Sequence, residues 1–255
     1  MKKRTLIYAK WAFVSAIGFL MLACNDNKDE VLDEPQSQAS LSATAHDGST
    51  NPSGRVIVNG FSTAEFKVAT KDVEMRYAAK ADILAGISLG NITLKTNVNT
   101  SLQSSTAKEQ SLTLISDGSV RSSTMGSGST PDGKYQEVNF RLFKNSSAPQ
   151  SDPMFNKSLW LSGEANGKAC IIWMEAEKMI VAKAESSQGV DVDGQSDMEL
   201  VFDLEKLFAN VNFSTAVDSN LHGKIDIGPG SVDANAAIFT QIESNLESAV
   251  VFKKK

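Results

Sequence analysis

From Gly54 onward the chain alternates apolar and polar residues with a period of two, and Gly, Asn and Asp interrupt the alternation at short intervals. Successive side chains of a strand point to opposite faces, so this pattern describes short strands with one face in a core. Strands are expected over 55–59, 65–70, 73–77 and 90–99, the last with Ile92, Leu94, Thr96 and Val98 on one face. Strands over 111–116 and 119–125 flank Asp117-Gly118, a two-residue hairpin signal because both positions want φ > 0. Pro131-Asp132-Gly133 then turns the chain into a strand over 135–144, and 196–204 alternates in the same way.

One helix is expected near the end. Ser231 or Asp233 is placed to cap it, and Phe239, Ile242, Leu246 and Ala249 recur at helical spacing. Residues 205–210 read as a single helical turn, and no internal repeat is evident. Many strands followed by one helix predict a mainly β fold, an antiparallel β-sandwich with one C-terminal α-helix, over 54–255. Pro131-Asp132-Gly133-Lys134-Tyr135, Val201-Phe202-Asp203-Leu204-Glu205-Lys206-Leu207 and Gly223-Lys224-Ile225-Asp226-Ile227 are turn-and-strand motifs of one kind. Through them the region resembles a Bacteroidota lipoprotein family of uncharacterised function. The resemblance implies a transthyretin-like or immunoglobulin-like sandwich and brings no catalytic residues.

The start of the chain carries an address. Lys2, Lys3, Arg4 and Lys10 precede 13 uncharged, largely apolar residues, 11–23, which end in Leu20-Met21-Leu22-Ala23-Cys24. That run is shorter than the roughly 20 residues a spanning helix needs, so residues 1–23 read as a signal peptide. A small residue before cysteine resembles the lipobox of bacterial lipoproteins. It implies cleavage before Cys24 and fatty acylation of its thiol and new amine, and two or more chains hold a protein stably on a bilayer. Asn25-Asp26-Asn27-Lys28-Asp29-Glu30 is similar to the acidic tracts of surface-exposed lipoproteins of Bacteroidota. The expected location is therefore the outer membrane, facing outward. Residues 24–53 are rich in Ser, Asp, Glu, Asn, Gln and Ala, and read as the lipidated cysteine followed by a flexible acidic tether.

Charge narrows the partners. The signal holds four of the 25 basic residues and none of the 30 acidic ones, so the mature chain carries 21 positive and 30 negative charges, net −9. An acidic chain whose one basic cluster is Lys253-Lys254-Lys255, read as a solubilising end, does not fit nucleic acid or anionic lipid. The expected partners are the membrane, through the lipid anchor, and a glycan or an envelope protein. With Cys24 acylated, Cys170 is the remaining thiol and no intramolecular disulfide forms. Its neighbours Ile171, Ile172 and Trp173 are apolar, which raises a thiol's pKa and leaves it inert.

No nucleophile elbow, phosphate-cradling loop or zinc-binding histidine pair stands in the sequence, and His222 is the one histidine outside the tether. Glu175 and Glu177 would share a strand face and could act as the carboxylate pair of a glycoside hydrolase. The sharper inference concerns Trp160 and Trp173. If Asn166-Gly167 closes a type I′ hairpin, paired residue numbers sum to 333 and Trp160 faces Trp173. Leu159, Leu161, Cys170, Ile172 and Met174 then form a core face. Trp160, Ser162, Glu164, Ile171, Trp173 and Glu175 form the other, where paired indoles beside Glu175 could stack on sugar rings. The alternative is that the C-terminal helix or another strand covers them.

Asp218-Ser219-Asn220-Leu221-His222-Gly223-Lys224-Ile225-Asp226 follows the EF-hand pattern in part. Asp218, Asn220 and Asp226 would hold calcium weakly, because His222 and Pro229 replace two oxygen ligands; the other reading is a turn bonded to its own backbone. No other cofactor is expected. Three functions stay open: a non-enzymatic binding or envelope-assembly role, glycan capture on Trp160 and Trp173, and glycoside hydrolysis through Glu175 and Glu177.

Overall fold

The computed structural model describes residues 35–47, 56–78 and 109–255. The signal, Cys24 and the strand expected over 90–99 lie outside them. The strands in chain order are β1 (Gln36–His46), β2 (Ile57–Val58), β3 (Phe61–Ala78), β4 (Gln110–Ser116), β5 (Ser119–Val120), β6 (Ser123–Pro131) and β7 (Gly133–Leu142). They continue with β8 (Leu159–Ala165), β9 (Lys168–Met174), β10 (Lys178–Ala184), β11 (Val190–Val192), β12 (Ser196–Asp203), β13 (Lys224–Ile227) and β14 (Val250–Lys254). Helices are the short Leu204–Leu207 and the longer Ala236–Asn245.

The main path of the sheet runs β13-β9-β8-β3-β7-β10-β14-β12-β1-β6. β3 organises it. Its residues 61–68 pair with β8, and its residues 70–78 pair with β7. Between Lys71 and Glu74 the register shifts, and Asp72 takes a left-handed φ of 53°. A bulge of this kind bends a strand and sharpens its twist, so one long strand serves both ends of the sheet. The gap read between 65–70 and 73–77 is this bulge. Across the interior Phe66 of β3 meets Phe202 of β12 edge-on at 5.7 Å, and Phe202 meets Phe140 of β7 at 6.1 Å. Phe61 packs between Phe208 and Phe213 at 5.5 and 5.1 Å. Full burial of such a side chain contributes about 2–3 kcal/mol. The fold is mainly β, a β-sandwich with few helices.

Local turn chemistry acts as expected. Asp117-Gly118 has φ values of 53° and 72°, and Asn166-Gly167 of 52° and 70°. The β8–β9 register is the expected one, with Leu159 opposite Met174, Trp160 opposite Trp173 and Leu161 opposite Ile172. At Pro131-Asp132-Gly133 the chain bends from β6 into β7, and the buried Tyr135 hydroxyl donates to Pro131 O at 2.8 Å.

Long-range pairing corrects three expectations. The tether expected over 24–53 does not extend so far: β1 is a strand between β12 and β6, with Ala39, Leu41, Ala43 and Ala45 buried. Alternating small residues fill the narrow space there, and the Ser37 hydroxyl donates to Asp132. The sheet is mixed, because β1–β12, β10–β14 and β13–β9 are parallel pairs. The helix is not the end of the chain. It stops at Asn245, and β14 follows, set between β10 and β12 with Val250 and Phe252 buried and with Lys253 and Lys254, two of the three lysines read as a solubilising end, inside it. Lys254, at the end of β14, is exposed, so the basic end and the core strand share residues.

Candidate functional site

The outward face of β8, β9 and β13 gathers the aromatic and charged side chains. Trp160, Ser162 and Glu164 come from β8, and Ile171 and Trp173 from β9, while Leu159, Leu161, Cys170, Ile172 and Met174 are fully buried on the inner face. β3 adds Lys67 opposite Trp160 and Glu65 opposite Ser162. β13 runs parallel to β9 and sets Asp226 in register with Ile171, so the next position in line with Trp173 is Gly228. The hairpin and the acidic loop, which look like two separate candidates in the sequence, are parts of one surface.

The two indoles are held differently. Trp160 packs against a small satellite cluster of Ala69, Phe143 and Met154, and Lys67 Nζ stands 5.8 Å from its ring centroid. Trp173 is half-buried with Gly228 directly against its ring. The helix Ala236–Asn245 sends Ile238 and Ile242 into the main core with Ile225 and Ile227, on the side of the sheet away from the indoles.

Glu175 and Glu177 do not share a strand face. β9 ends at Met174 and β10 begins at Lys178, which leaves both carboxylates in the connection between them. Lys144 Nζ lies 2.6 Å from Glu175 Oε2, an ion pair at the rim of the face.

The 218–226 loop is organised by carboxylates. Asp218, nearly fully buried, accepts from His222 N at 3.0 Å through Oδ1 and from Gly223 N at 3.0 Å through Oδ2. Lys168 Nζ lies 3.1 Å from the same Oδ2. Burial alone would raise the Asp218 pKa, but hydrogen bonds from Lys168, His222 and Gly223 and the Lys168 charge outweigh it, lowering the value from 3.8 to about 2. The His222 ring bridges two carboxylates, with Nδ1 at 3.2 Å from Asp218 and Nε2 at 3.3 Å from Asp226. Asn220 Oδ1 also accepts from His222 N, at 3.1 Å. These bonds hold Leu221 at a left-handed φ of 60° with its side chain 84% exposed.

Asp233 is not the helix cap. Asn235 occupies that position without a side-chain cap bond. Asp233, buried, instead accepts from Ser219 N at 2.8 Å and from Asp226 N at 2.8 Å, fastening the loop to the edge of β13. Asn235 donates to Asp226 O at 3.0 Å and Ser231 to the same oxygen at 3.2 Å, so the outer edge of β13 is closed by this segment rather than left as a template for another strand. Asp218, His222 and Asp233 each direct one ligand-type atom into a space where those atoms lie within 4.8 Å of one another. Of the expected calcium set, Asp218 belongs to this group; Asn220 is spent on the loop backbone, and Asp226 lies on the far side of the imidazole. Beneath them the buried Cys170 thiol is pushed from 9.0 up to about 12, chiefly by burial, with Asp226 and Asp233 adding to it.

Trp160, Trp173 and Asp218 stand out in the sequence as site candidates, whereas His222 reads there as a lost oxygen ligand, and nothing in the sequence brings Lys67, Gly228 or Asp233 to them. Lys168 carried a usable signal, since the Asn166-Gly167 register places it at the mouth of the hairpin.

No family model matches the chain, and no curated protein matches it. Among solved structures it is similar to MbnP from Methylosinus trichosporium, at a TM-score of 0.40 and 12% identity over 88% of this chain and 99% of that one.

Proposed function

We propose that this is a lipid-anchored outer-membrane protein, of the Bacteroidota surface-lipoprotein kind, with a non-catalytic binding role exerted by the outward face of β8, β9 and β13. The carrying observation is the half-buried pair Trp160 and Trp173 on a three-strand support, rimmed by charged side chains. Tryptophan on a fixed scaffold supplies a large contact area at a small cost in conformational entropy, which is why it anchors recognition surfaces. Carboxylates on the face are held by cations, Glu175 by Lys144 and Asp218 by Lys168. That arrangement suits contact rather than proton transfer. No helix among the described residues is long and apolar enough to cross a membrane, and attachment in this reading rests on acylation of Cys24.

Photo-cross-linking in intact cells tests it. A photoreactive residue at Glu164, exposed on the outward face, is expected to capture an envelope component at least tenfold more efficiently than one at Asp197 on β12. The Cys24→Ser variant, released from the membrane, loses that capture. Equal labelling from positions 164 and 197 removes the face from consideration.

A second reading attaches to the same loop. Asp218, His222 and Asp233 together offer an imidazole and two carboxylates, a donor set that suits a borderline divalent ion such as zinc better than calcium. To bind it, Asp218 must exchange Lys168 for the metal. A ligand at 100 times its Kd that binds only the folded state adds about 2.7 kcal/mol. Zinc is therefore expected to raise the Tm by several degrees, calcium to leave it unchanged, and His222→Ala to cancel the zinc effect. A Tm unmoved by millimolar zinc ends this reading.

A further inference from the structure

The contact between Gly228 and Trp173 has a definite geometry. A Cβ placed on Gly228 would fall 2.3 Å from both Cδ2 and Cε2 of the indole and 2.7 Å from Cζ2. The Cδ2–Cε2 bond is the fusion bond in the middle of the bicycle. An approach to the ring's edge would meet peripheral atoms first, so only an approach to its face brings the fusion bond nearest. Trp173 therefore lies face-down on the backbone just past β13, across the top of the sheet. One π-face lies against Gly228, and Trp173 as a whole is half-buried. Trp160 is not in this state, because Lys67 stands over its ring and the Phe143–Met154 cluster packs against it.

We propose that Trp173 is a stacking platform for a pyranose ring of a neutral polysaccharide, and that Gly228 is the positioning residue that keeps the platform flat. The inference rests on the binding-face reading and names its ligand class. An immobilised, outward aromatic face carries negative quadrupole charge, and the axial C–H groups of a sugar ring are its complement. The rim decides between neutral and charged sugars. Asp218 is paired with Lys168 at 3.1 Å, Asp226 with Lys224 at 3.3 Å, Glu175 with Lys144 at 2.6 Å and Glu65 with Lys67 at 3.3 Å. Each of these four acids has its own ammonium group, and Glu164, exposed on the same face, has no ion-pair partner among the described residues, so the face carries an uncompensated negative charge that disfavours anionic sugars. A uronate or sulfated sugar would have to break such a pair, whereas hydroxyl groups can donate to the carboxylates and accept from the ammonium groups together.

Gly228 is not in the left-handed φ region, so alanine there meets the indole and no backbone strain. The ring must retreat by about 1 Å or more to restore ordinary contact with the new methyl group. The full mature chain and its Gly228→Ala, Trp173→Ala and Trp160→Ala variants are run on native gels containing xylan, β-glucan, galactomannan, starch or, as the anionic comparison, alginate. The parent is expected to be retarded by at least one neutral polysaccharide and not by alginate. Trp173→Ala and Gly228→Ala should each weaken that retardation at least tenfold. Gly228→Ala should also alter the near-UV circular dichroism of the indole while unfolding as cooperatively as the parent. A parent that migrates unretarded in every neutral gel removes the carbohydrate assignment, and the cross-linking at position 164 tells whether the binding face falls with it. Retardation that survives in Gly228→Ala, or a near-UV spectrum that does not change, overturns the platform geometry alone. Retardation by alginate overturns the neutral-ligand assignment.

Discussion

Replacing Leu41 by alanine is expected to lower the unfolding free energy by about 3 kcal/mol. Leu41 is fully buried in β1, opposite Met198 on one side and Gly126 on the other. Its companions on the inner face, Ala39, Ala43 and Ala45, are small, so it is the large side chain that fills this part of the core. Neither a glycine nor neighbouring alanines can close over the space that truncation would leave, and the loss includes a cavity term. Urea unfolding should show a lower midpoint with an unchanged slope, because the surface exposed on unfolding is nearly the same. Gln38→Ala, on the exposed side of the same strand, should stay within about 0.5 kcal/mol of the parent. Equal stabilities for the two variants would return β1 to the tether.

Gly163→Ala is expected to be as damaging, at about 3 kcal/mol, for a different reason. A Cβ there would lie 2.1 Å from Ser62 O and 2.9 Å from Phe61 Cζ. The carbonyl belongs to β3, where the register shifts between Thr63 and Glu65, and Phe61 is fully buried against Phe208 and Phe213. Neither neighbour can swing aside, so strands β3 and β8 must separate. Gly228→Ala provides the contrast, since its obstacle is one side chain on the surface. The pair separates a glycine required for strand spacing from one required for ring placement. A Gly163→Ala midpoint within about 0.5 kcal/mol of the parent would mean that β3 and β8 do not approach as closely as described.

Elements closed by near neighbours in the chain were legible in the sequence. Asn166-Gly167 sets both the turn and the register, so every residue of β8 and β9 could be assigned a partner and a face. β1 and β14 were not legible, because their partners lie far along the chain. Ser, Gln and Ala have little strand preference of their own, and β1 is ordered by β12 and β6 rather than by propensity. The helical spacing through Leu246 and Ala249 ran past the helix end at Asn245 because both side chains are buried in the turn that leads into β14. Asp233 shows a further limit. A carboxylate that caps a helix and one that fastens a loop accept from the same kind of N–H group, and sequence distance does not tell them apart. Within the site, the tryptophan pair was visible but its asymmetry was not, since Lys67 and Gly228 arrive from strands that flank the hairpin.

The position of β1 has a mechanical consequence for a protein fastened at Cys24. In the proposed lipid-anchored reading, the twelve residue steps from 24 to 36 would set an upper limit of roughly 40 Å on the distance from the acylated cysteine to β1. A load on the anchor enters the molecule through Gln36, along the axis of a strand hydrogen-bonded on both sides. Traction along that axis strains the ladders to β12 and β6 together, in shear, instead of peeling them open one bond at a time.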